Sequence, residues 1–356
     1  MSDPIRVVVV DDSALMRHVL SEILNADSDI EVVATARDPF DAREKIKLHN
    51  PDVLTLDVEM PRMDGLQFLR NLMRLRPMPV VMVSSLTTKS AEVTLEALRL
   101  GAIDFVAKPE VNIAHKLVDA GSEIIAKVKT AAVAKVSALA SPVRPPKVSQ
   151  PAAAGGYRTT DQIIAIGAST GGTEAIREVL EVMPSDSPGI VVVQHIPGMF
   201  SASFADRLDS CCDLVVREAQ HDERILRGHA YIAPGERHLK VIRCGAQYRC
   251  QLSDQDPVNR HRPSVDVLFH SVAQAAKRNA TAVMLTGMGK DGAKGMKAMH
   301  DAGAYTIAQS EQSSVVWGMP GAAVALGATD SIRDLKDIGP LLCSMMRERV
   351  GSVTVG

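Results

Sequence analysis

Short, continuous apolar runs recur along this chain, and segments with helical periodicity separate them. The runs are rich in valine and isoleucine, which suits strands that helices cover on both faces of a parallel sheet. Alternation of strands and helices predicts a doubly wound α/β domain. In the first third of the chain the runs cover residues 5–10, 53–56, 79–83 and 103–106.

A proline-rich stretch interrupts this alternation. Residues 137–156 contain four prolines and no acidic residue, a composition typical of a semi-flexible linker. The alternation then resumes, and two runs that flank residues 244–247 predict a β-hairpin. The sequence therefore predicts three segments: a first α/β domain over 1–125, a helical extension with a Pro/Ala-rich linker over 126–160, and a second α/β domain with a mainly parallel sheet over 161–356.

Charge and cysteine content narrow the class of protein. The net charge is -2, which disfavours a nucleic-acid or anionic-membrane binder. No run approaches the roughly 18 apolar residues of a transmembrane helix, and the N-terminus does not have the pattern of a signal peptide. The five cysteines give neither a disulfide framework nor a paired metal motif. We expect a reduced, cytoplasmic protein.

Polar residues follow the apolar runs of the first domain. Asp11 and Asp12 follow the first run, Asp57 follows the second, and Ser84 and Lys108 follow the next two. In an open parallel sheet the carboxyl ends of the strands share one edge, where ligands bind. Clustered carboxylates there suit Mg²⁺, and a carboxylate can accept a phosphoryl group. Each residue alone could simply be a polar loop residue, but the ordered set predicts a phosphorylation site.

Residues 5–109 resemble a response-regulator receiver domain through VVVVDDS, LTLDVEMPRMDG, VVMVSS and FVAKP. The resemblance implies a flavodoxin-like fold with Asp57 as the phosphoacceptor and with Ser84 and Lys108 as switch residues. It also implies Mg²⁺ held by Asp11, Asp12, Asp57 and the backbone carbonyl of Glu59.

A glycine-rich turn opens the second domain. Gly167-Ala168-Ser169-Thr170-Gly171 fits the nucleophile pattern G-x-S-x-G between a strand and a helix. Such turns also bind phosphates or dinucleotides, but this one lacks the G-x-G-x-x-G spacing, and the next strand ends in Gln194-His195 without an acid. Ser169 is therefore a candidate nucleophile.

His195 and Asp291 complete a candidate triad with Ser169. His195 would be the general base, and Asp291 would orient it. Taken singly, His195 could be a buried structural histidine, and Asp291 could cap a helix that begins near Gly292.

The glycines of residues 287–292 would let backbone N–H groups near Met288 approach an oxyanion. Arg262, Ser264 and Asp266 either shape the site or pack; the sequence does not separate these roles.

Residues 161–350 resemble the catalytic domain of the chemotaxis protein-glutamate methylesterases. IGASTGG, VVVQHIP, YIAPG, RPSVDVLF, LTGMGKDGA and WGMPGAA carry the resemblance. It implies phosphorylation-controlled hydrolysis of glutamate methyl esters on chemoreceptors by Ser169, His195 and Asp291, often with deamidation of glutamines. It also implies Thr170 and Met288 as oxyanion or active-site support, and no cofactor for the esterase reaction.

The same resemblance implies the partners of the protein. It implies the histidine kinase CheA as phosphodonor and the methyl-accepting receptors as substrate, with only an indirect association with membrane arrays.

Two other classes of protein compete with this interpretation. A non-catalytic domain that binds a partner or DNA would lack a coherent triad, and a dinucleotide-dependent enzyme would need a different glycine spacing.

Overall fold

The computed structural model describes residues 3–60, 65–85, 87–109, 114–134, 136 and 162–351. These residues belong to two compact units, one within Met1–Val143 and one within Arg144–Gly356. The predicted Pro/Ala-rich linker lies outside the described residues, so the predicted domain boundaries stay predictions. Within the described part of the chain, no helix combines the length and the apolar character needed to cross a membrane.

The first unit is a five-stranded parallel sheet flanked by helices. Its strand order is β2-β1-β3-β4-β5, the flavodoxin-like order that the resemblance implied. The elements are β1 (Ile5–Val10), α1 (Ala14–Asn25), β2 (Ile30–Ala36), α2 (Pro39–His49), β3 (Val53–Asp57), α3 (Gly65–Leu75), β4 (Val80–Ser84), α4 (Thr88–Arg99), β5 (Asp104–Ala107) and α5 (Ala114–Val133).

Local sequence signals set the boundaries of these elements. The Ser13 side chain accepts the Met16 N–H and caps α1. Asp38 caps α2, whose first residue is Pro39. Val7 to Val10 of β1 are at most 1% exposed, as expected for a strand covered on both faces.

The second unit contains a seven-stranded parallel sheet and a separate antiparallel hairpin. The order of the large sheet is β14-β13-β12-β6-β7-β9-β8. The elements are β6 (Ile163–Ala168), α6 (Gly172–Glu181), β7 (Gly189–Gln194), α7 (Gly198–Cys211), β8 (Val215–Glu218), β9 (His229–Ile232), β10 (His238–Cys244), β11 (Gln247–Ser253), α8 (Val265–Ala276), β12 (Ala280–Met284), α9 (Ala293–Asp301), β13 (Tyr305–Gln309), α10 (Met319–Ala325), β14 (Ser331–Arg333) and α11 (Leu335–Gly351).

At the central strand β6, the order in which the chain adds strands to the sheet reverses. The chain passes from β6 to β7 on one side, and later returns to pair β12 with the other side of β6. Ligands of open α/β sheets bind at the carboxyl ends of the strands around such a switch point. The predicted hairpin is present as β10 and β11, in antiparallel register from His238↔Ser253 to Cys244↔Gln247.

Candidate functional sites

In the first unit, the predicted phosphorylation residues lie at the carboxyl edge of the sheet. Lys108 Nζ is 2.8 Å from Asp57 Oδ2 and 3.3 Å from Asp11 Oδ2, and both carboxylates are buried. Asp57 Oδ1 also accepts the Glu59 N–H at 3.1 Å. The structure therefore brings the predicted phosphoacceptor and the predicted lysine together.

Burial dominates the electrostatics of this cluster. It raises the pKa of Asp57 to about 6, although the Lys108 hydrogen bond opposes the shift. Burial likewise raises the pKa of Asp11, with only partial compensation from Lys108. Burial disfavours the charged form of Lys108, but the hydrogen bond and charge of Asp57 outweigh it, so the pKa of Lys108 lies above its ordinary value.

The carboxylates fit a magnesium ion. Asp11, Asp12 and Asp57 each offer an oxygen, and these oxygens lie within 4.8 Å of one another. Asp11 and Asp57 both contact one cation, Lys108, so the two carboxylates carry more negative charge than this lysine can compensate. Hard oxygen donors with uncompensated negative charge suit Mg²⁺. The backbone carbonyl of Glu59 follows directly on this cluster in the chain.

Ser84 ends β4 at the same edge of the sheet. Its hydroxyl is buried and accepts a hydrogen bond from Thr94 Oγ1 at 2.9 Å. The Lys108 N–H donates to the Ser84 carbonyl at 2.8 Å. The backbones of the two predicted switch residues are therefore hydrogen-bonded to each other.

In the second unit, strand pairing places Ser169 beside His195. Ala168 of β6 is in register with Gln194 of β7, and each predicted site residue follows directly on its strand. The His195 N–H donates to the Ala168 carbonyl at 3.2 Å. Ser169 itself leads into α6, and its carbonyl accepts the Gly172 N–H at 2.7 Å.

The third segment of the site follows β12, the other neighbour of β6. The Ser169 N–H donates to the Thr286 carbonyl at 3.0 Å. A Cβ on Gly287 would lie 2.8 Å from the Ser169 Cβ, so only glycine lets this loop approach so closely. The loop that carries Met288 and Asp291 therefore packs directly against the candidate nucleophile.

Asp291 reaches His195 from this loop. Its Oδ2 lies 2.9 Å from His195 Nε2, and the two side chains are 1% and 7% exposed. Within the described part of the chain, the buried Nδ1 of His195 has no hydrogen-bond partner. Ser169 and His195 are not hydrogen-bonded to each other in the structure.

Asp291 does not cap its own helix, which is the structural alternative that the sequence left open. The N-cap position of α9 is Gly292, with no side-chain cap. The Asp291 carboxylate instead accepts the Val265 N–H at 2.7 Å and the Ser264 hydroxyl at 2.8 Å, at the start of α8. Ser264 therefore contacts the site directly.

Further hydrogen bonds set the ionisation of Asp291. Asn259 Nδ2 donates to its Oδ1 at 2.6 Å. Burial by itself favours the neutral acid, but the hydrogen bond and charge of His195, with the bonds from Asn259 and Ser264, outweigh it. The pKa of Asp291 therefore lies well below its ordinary value, and the side chain is a carboxylate.

His261 is a site residue that the sequence did not indicate. Its ring stacks on His195 with a centroid distance of 3.7 Å and an interplanar angle of 5°. Asn259 and His261 lie more than 60 residues from His195 in the chain, in a loop without apolar periodicity. The nearest sequence signal was the motif RPSVDVLF, which begins at Arg262, directly after His261.

Together, the fold and these two sites define a response regulator whose receiver domain is joined to a hydrolase-type α/β domain. Comparisons with known proteins agree. The family model described as CheB methylesterase matches residues 164–342, and the model for the response regulator receiver domain matches residues 7–119. The chain belongs to the CheB methylesterase family.

Similar proteins cover almost the whole chain. A protein of Xanthomonas oryzae pv. oryzae named protein-glutamate methylesterase/protein-glutamine glutaminase 2 is 56% identical over 97% of this chain and 98% of its own length. A relative from Salmonella typhimurium named protein-glutamate methylesterase/protein-glutamine glutaminase is 58% identical over 94% and 95%. The crystal structure of the Thermotoga maritima CheB methylesterase catalytic domain is 37% identical, with a TM-score of 0.51, and covers 52% of this chain and 98% of that chain.

Proposed function

We propose that this chain is a phosphorylation-activated hydrolase that removes methyl esters from glutamates of chemoreceptors and deamidates receptor glutamines. The names of the relatives support both reactions. The observation that carries the proposal is the buried His195–Asp291 pair, 2.9 Å apart, at the strand end next to Ser169. This is the arrangement that a serine nucleophile needs for activation.

The proposed reaction proceeds through an acyl-enzyme. Because Asp291 accepts the Nε2–H of His195, the Nδ1 lone pair is the one available to take the Ser169 proton. Ser169 Oγ bonds to the γ-carbonyl carbon, and the C–O bond to methanol then breaks as His195 returns the proton to the leaving oxygen. Water hydrolyses the acyl-enzyme by the same steps in reverse. For a glutamine, ammonia leaves instead of methanol.

We assign stabilisation of the oxyanion to backbone N–H groups of Thr170 and Met288. Thr170 lies at the turn into α6, whose N-terminus favours negative charge. Met288 follows Gly287, the residue whose backbone approaches Ser169. Donors from the turn after β6 and from the loop after β12 would then converge on the carbonyl that Ser169 attacks.

Replacement of the nucleophile tests the hydrolase. Ser169→Ala should reduce methanol release from methylated receptor to background, because it removes the hydroxyl that would attack the ester. The melting temperature should stay unchanged. Ser210→Ala, an exposed serine of α7, is the matched control and should keep full activity. Wild-type turnover by purified Ser169→Ala would refute the assignment.

We also propose that Asp57 accepts the phosphoryl group, with CheA as the physiological donor. Asp11, Asp12, Asp57 and the Glu59 carbonyl would hold Mg²⁺, which when bound offsets negative charge on the phosphoryl oxygens. Lys108, already 2.8 Å from Asp57, would pair with the phosphorylated side chain. Ser84 would donate its hydroxyl to it. These partners and the receptor substrate favour a cytoplasmic protein that meets membrane arrays only through receptors.

Loss of the phosphoacceptor tests the regulation. In wild type, acetyl phosphate with Mg²⁺ should raise the rate of methanol release. Asp57→Ala should remove that increase and leave the basal rate measurable, because the residue lies outside the Ser169 site. A variant that still responds to the phosphodonor would show that Asp57 is not the regulatory residue.

A further inference from the structure

A strained turn lies next to the proposed catalytic residues. The Val258 N–H donates to the His261 carbonyl at 3.0 Å, and the His261 N–H donates back at 2.9 Å. The two residues between them, Asn259 and Arg260, have φ angles of 53° and 67°. A two-residue turn with positive φ at both positions strongly prefers Asn-Gly. Asparagine occupies the first position, but arginine occupies the position that favours glycine.

Both neighbours of Arg260 contact the triad. Asn259 donates to Asp291 Oδ1 at 2.6 Å and to Asp266 Oδ2 at 2.8 Å, which fixes the turn. On the other side, His261 stacks on the His195 ring. The backbone of Arg260 is therefore held at the edge of the site, and its conformation disfavours any residue with a Cβ.

The Arg260 side chain is exposed, and within the described residues no carboxylate forms an ion pair with it. Nearby arginines are already engaged: Arg237 pairs with Asp254, and Arg262 donates to backbone carbonyls. Lys290, which precedes Asp291, is a second exposed cation. Arg260 and Lys290 therefore place two exposed positive charges beside the segments that hold His195 and Asp291.

We propose that Arg260 binds a carboxylate of the substrate polypeptide that lies beside the susceptible ester. This inference rests on the proposed function and names its substrate class: glutamyl esters with acidic neighbours. A guanidinium can hold a carboxylate through two parallel hydrogen bonds, which explains an arginine where the backbone favours glycine. The residue contributes to selection of the substrate and takes no part in proton transfer.

The test uses the full chain, activated with acetyl phosphate and Mg²⁺, and two synthetic peptides. Both carry one glutamate γ-methyl ester; one has glutamates a helical turn away on either side, and the other has alanines there, which the enzyme cannot deamidate. Methanol release gives kcat/KM for each. We expect wild type to prefer the acidic peptide about two- to fivefold, mainly through KM, and we expect 0.5 M NaCl to reduce the preference.

Three variants isolate the side chain. Arg260→Gly suits the positive φ, so the fold should be kept while the preference falls to about one. Arg260→Lys should retain part of the preference because it retains the charge. Arg278→Gln is the matched control: this exposed arginine precedes β12, at the opposite edge of the sheet, and its loss should change nothing.

The outcomes are distinguishable. Equal rates on both peptides in wild type, or an equal loss on both in Arg260→Gly, would overturn the role of Arg260 while the esterase function stands. Hydrolysis of neither peptide above the level of Ser169→Ala would instead refute the proposed function. A fall confined to the acidic peptide in Arg260→Gly supports the inference.

Discussion

At the residue scale, Asp291 combines two tasks in one carboxylate. It holds the Nε2–H of His195, and it also accepts the Ser264 hydroxyl and the Val265 N–H at the beginning of α8. The sequence predicted the contact with His195, because both residues follow strands of the sheet, but it did not predict the contacts at the beginning of α8. The carboxylate proposed to orient His195 therefore also joins the loop after β12 to the beginning of α8.

Asp291→Asn should impair both tasks. We expect a loss in kcat of about 10³- to 10⁴-fold, because the amide cannot keep His195 in the required tautomer. We also expect destabilisation of about 1–3 kcal/mol at pH 7 from weakened buried hydrogen bonds. Urea unfolding measures the second effect, with Asp337→Asn on the surface of α11 as control.

The stability loss in Asp291→Asn should depend on pH. The folded-state pKa of Asp291 is lowered, so its contribution is present above the unfolded value near 3.8 and is lost as pH falls toward the folded value. The gap between wild type and variant should therefore be constant above about pH 5 and narrow in stronger acid. A gap that widens in acid would contradict the assigned charge.

Asp57 should show the opposite dependence. Its folded pKa is raised from 3.8 to about 6, so the stabilising contribution of the protonated form is full below pH 3.8 and is lost as pH rises through 6. Without Mg²⁺, Asp57→Asn should therefore increase the free energy of unfolding of the receiver by about 1–3 kcal/mol at pH 7 and have little effect near pH 4. Thermal unfolding of the receiver at the two pH values measures the difference. Added Mg²⁺ should reduce the advantage of the variant.

At the scale of elements, the loop after β12 depends on a close backbone approach. An added Cβ at Gly287 would lie 2.4 Å from Met319 Sδ and 2.8 Å from Ser169 Cβ. The contact joins three segments that the sequence places far apart. The sequence predicted glycines in this loop for access to an oxyanion, whereas the structure shows that one of them is needed for packing.

Gly287→Ala should therefore displace the loop that carries Met288 and Asp291. We expect kcat to fall at least tenfold while the protein stays folded, because misplacement by an ångström affects reaction geometry strongly. Gly245→Ala, at the tip of the β10–β11 hairpin, is the control: φ is +61°, and no heavy atom lies within 4 Å of the added Cβ. That change should cost about 1 kcal/mol of stability and leave kcat unchanged.

Strands with continuous apolar runs were predictable, and interrupted ones were not. β1, β3, β6 and β12 correspond to runs of valine, isoleucine, leucine and alanine. The predictions did not include β2, in which the exposed Glu31 interrupts the run, or β14, which has three residues. Both lie in outer positions of their sheets, where one side of the strand lacks a neighbour and composition gives a weaker signal.

At the scale of the whole molecule, each compact unit has its own sheet and its own buried core. The single tryptophan, Trp317, belongs to the second unit and donates its Nε1–H to the Gln309 carbonyl. Its fluorescence therefore reports unfolding of that unit, whereas far-UV circular dichroism detects both units.

Mg²⁺ should shift one unfolding transition and not the other. At about 100 times its Kd, a ligand specific for the folded receiver stabilises it by about 2.7 kcal/mol. The circular dichroism transition of the receiver should move to higher temperature, while the Trp317 transition stays in place. Asp11→Asn with Asp12→Asn should abolish the shift. Equal movement of both signals would mean that the units unfold together.

Because β6 and β7 pair in parallel, the number of residues in each strand decides where Ser169 and His195 lie relative to each other. One residue inserted into β7 would turn His195 to the other face of the sheet, because side chains alternate. Two inserted residues would restore the face but advance the imidazole by about 7 Å. Apolar exchanges within these strands are therefore compatible with activity, whereas insertions and deletions are not. We expect insertions and deletions to be tolerated instead in the β10–β11 turn, where added residues can extend into solvent.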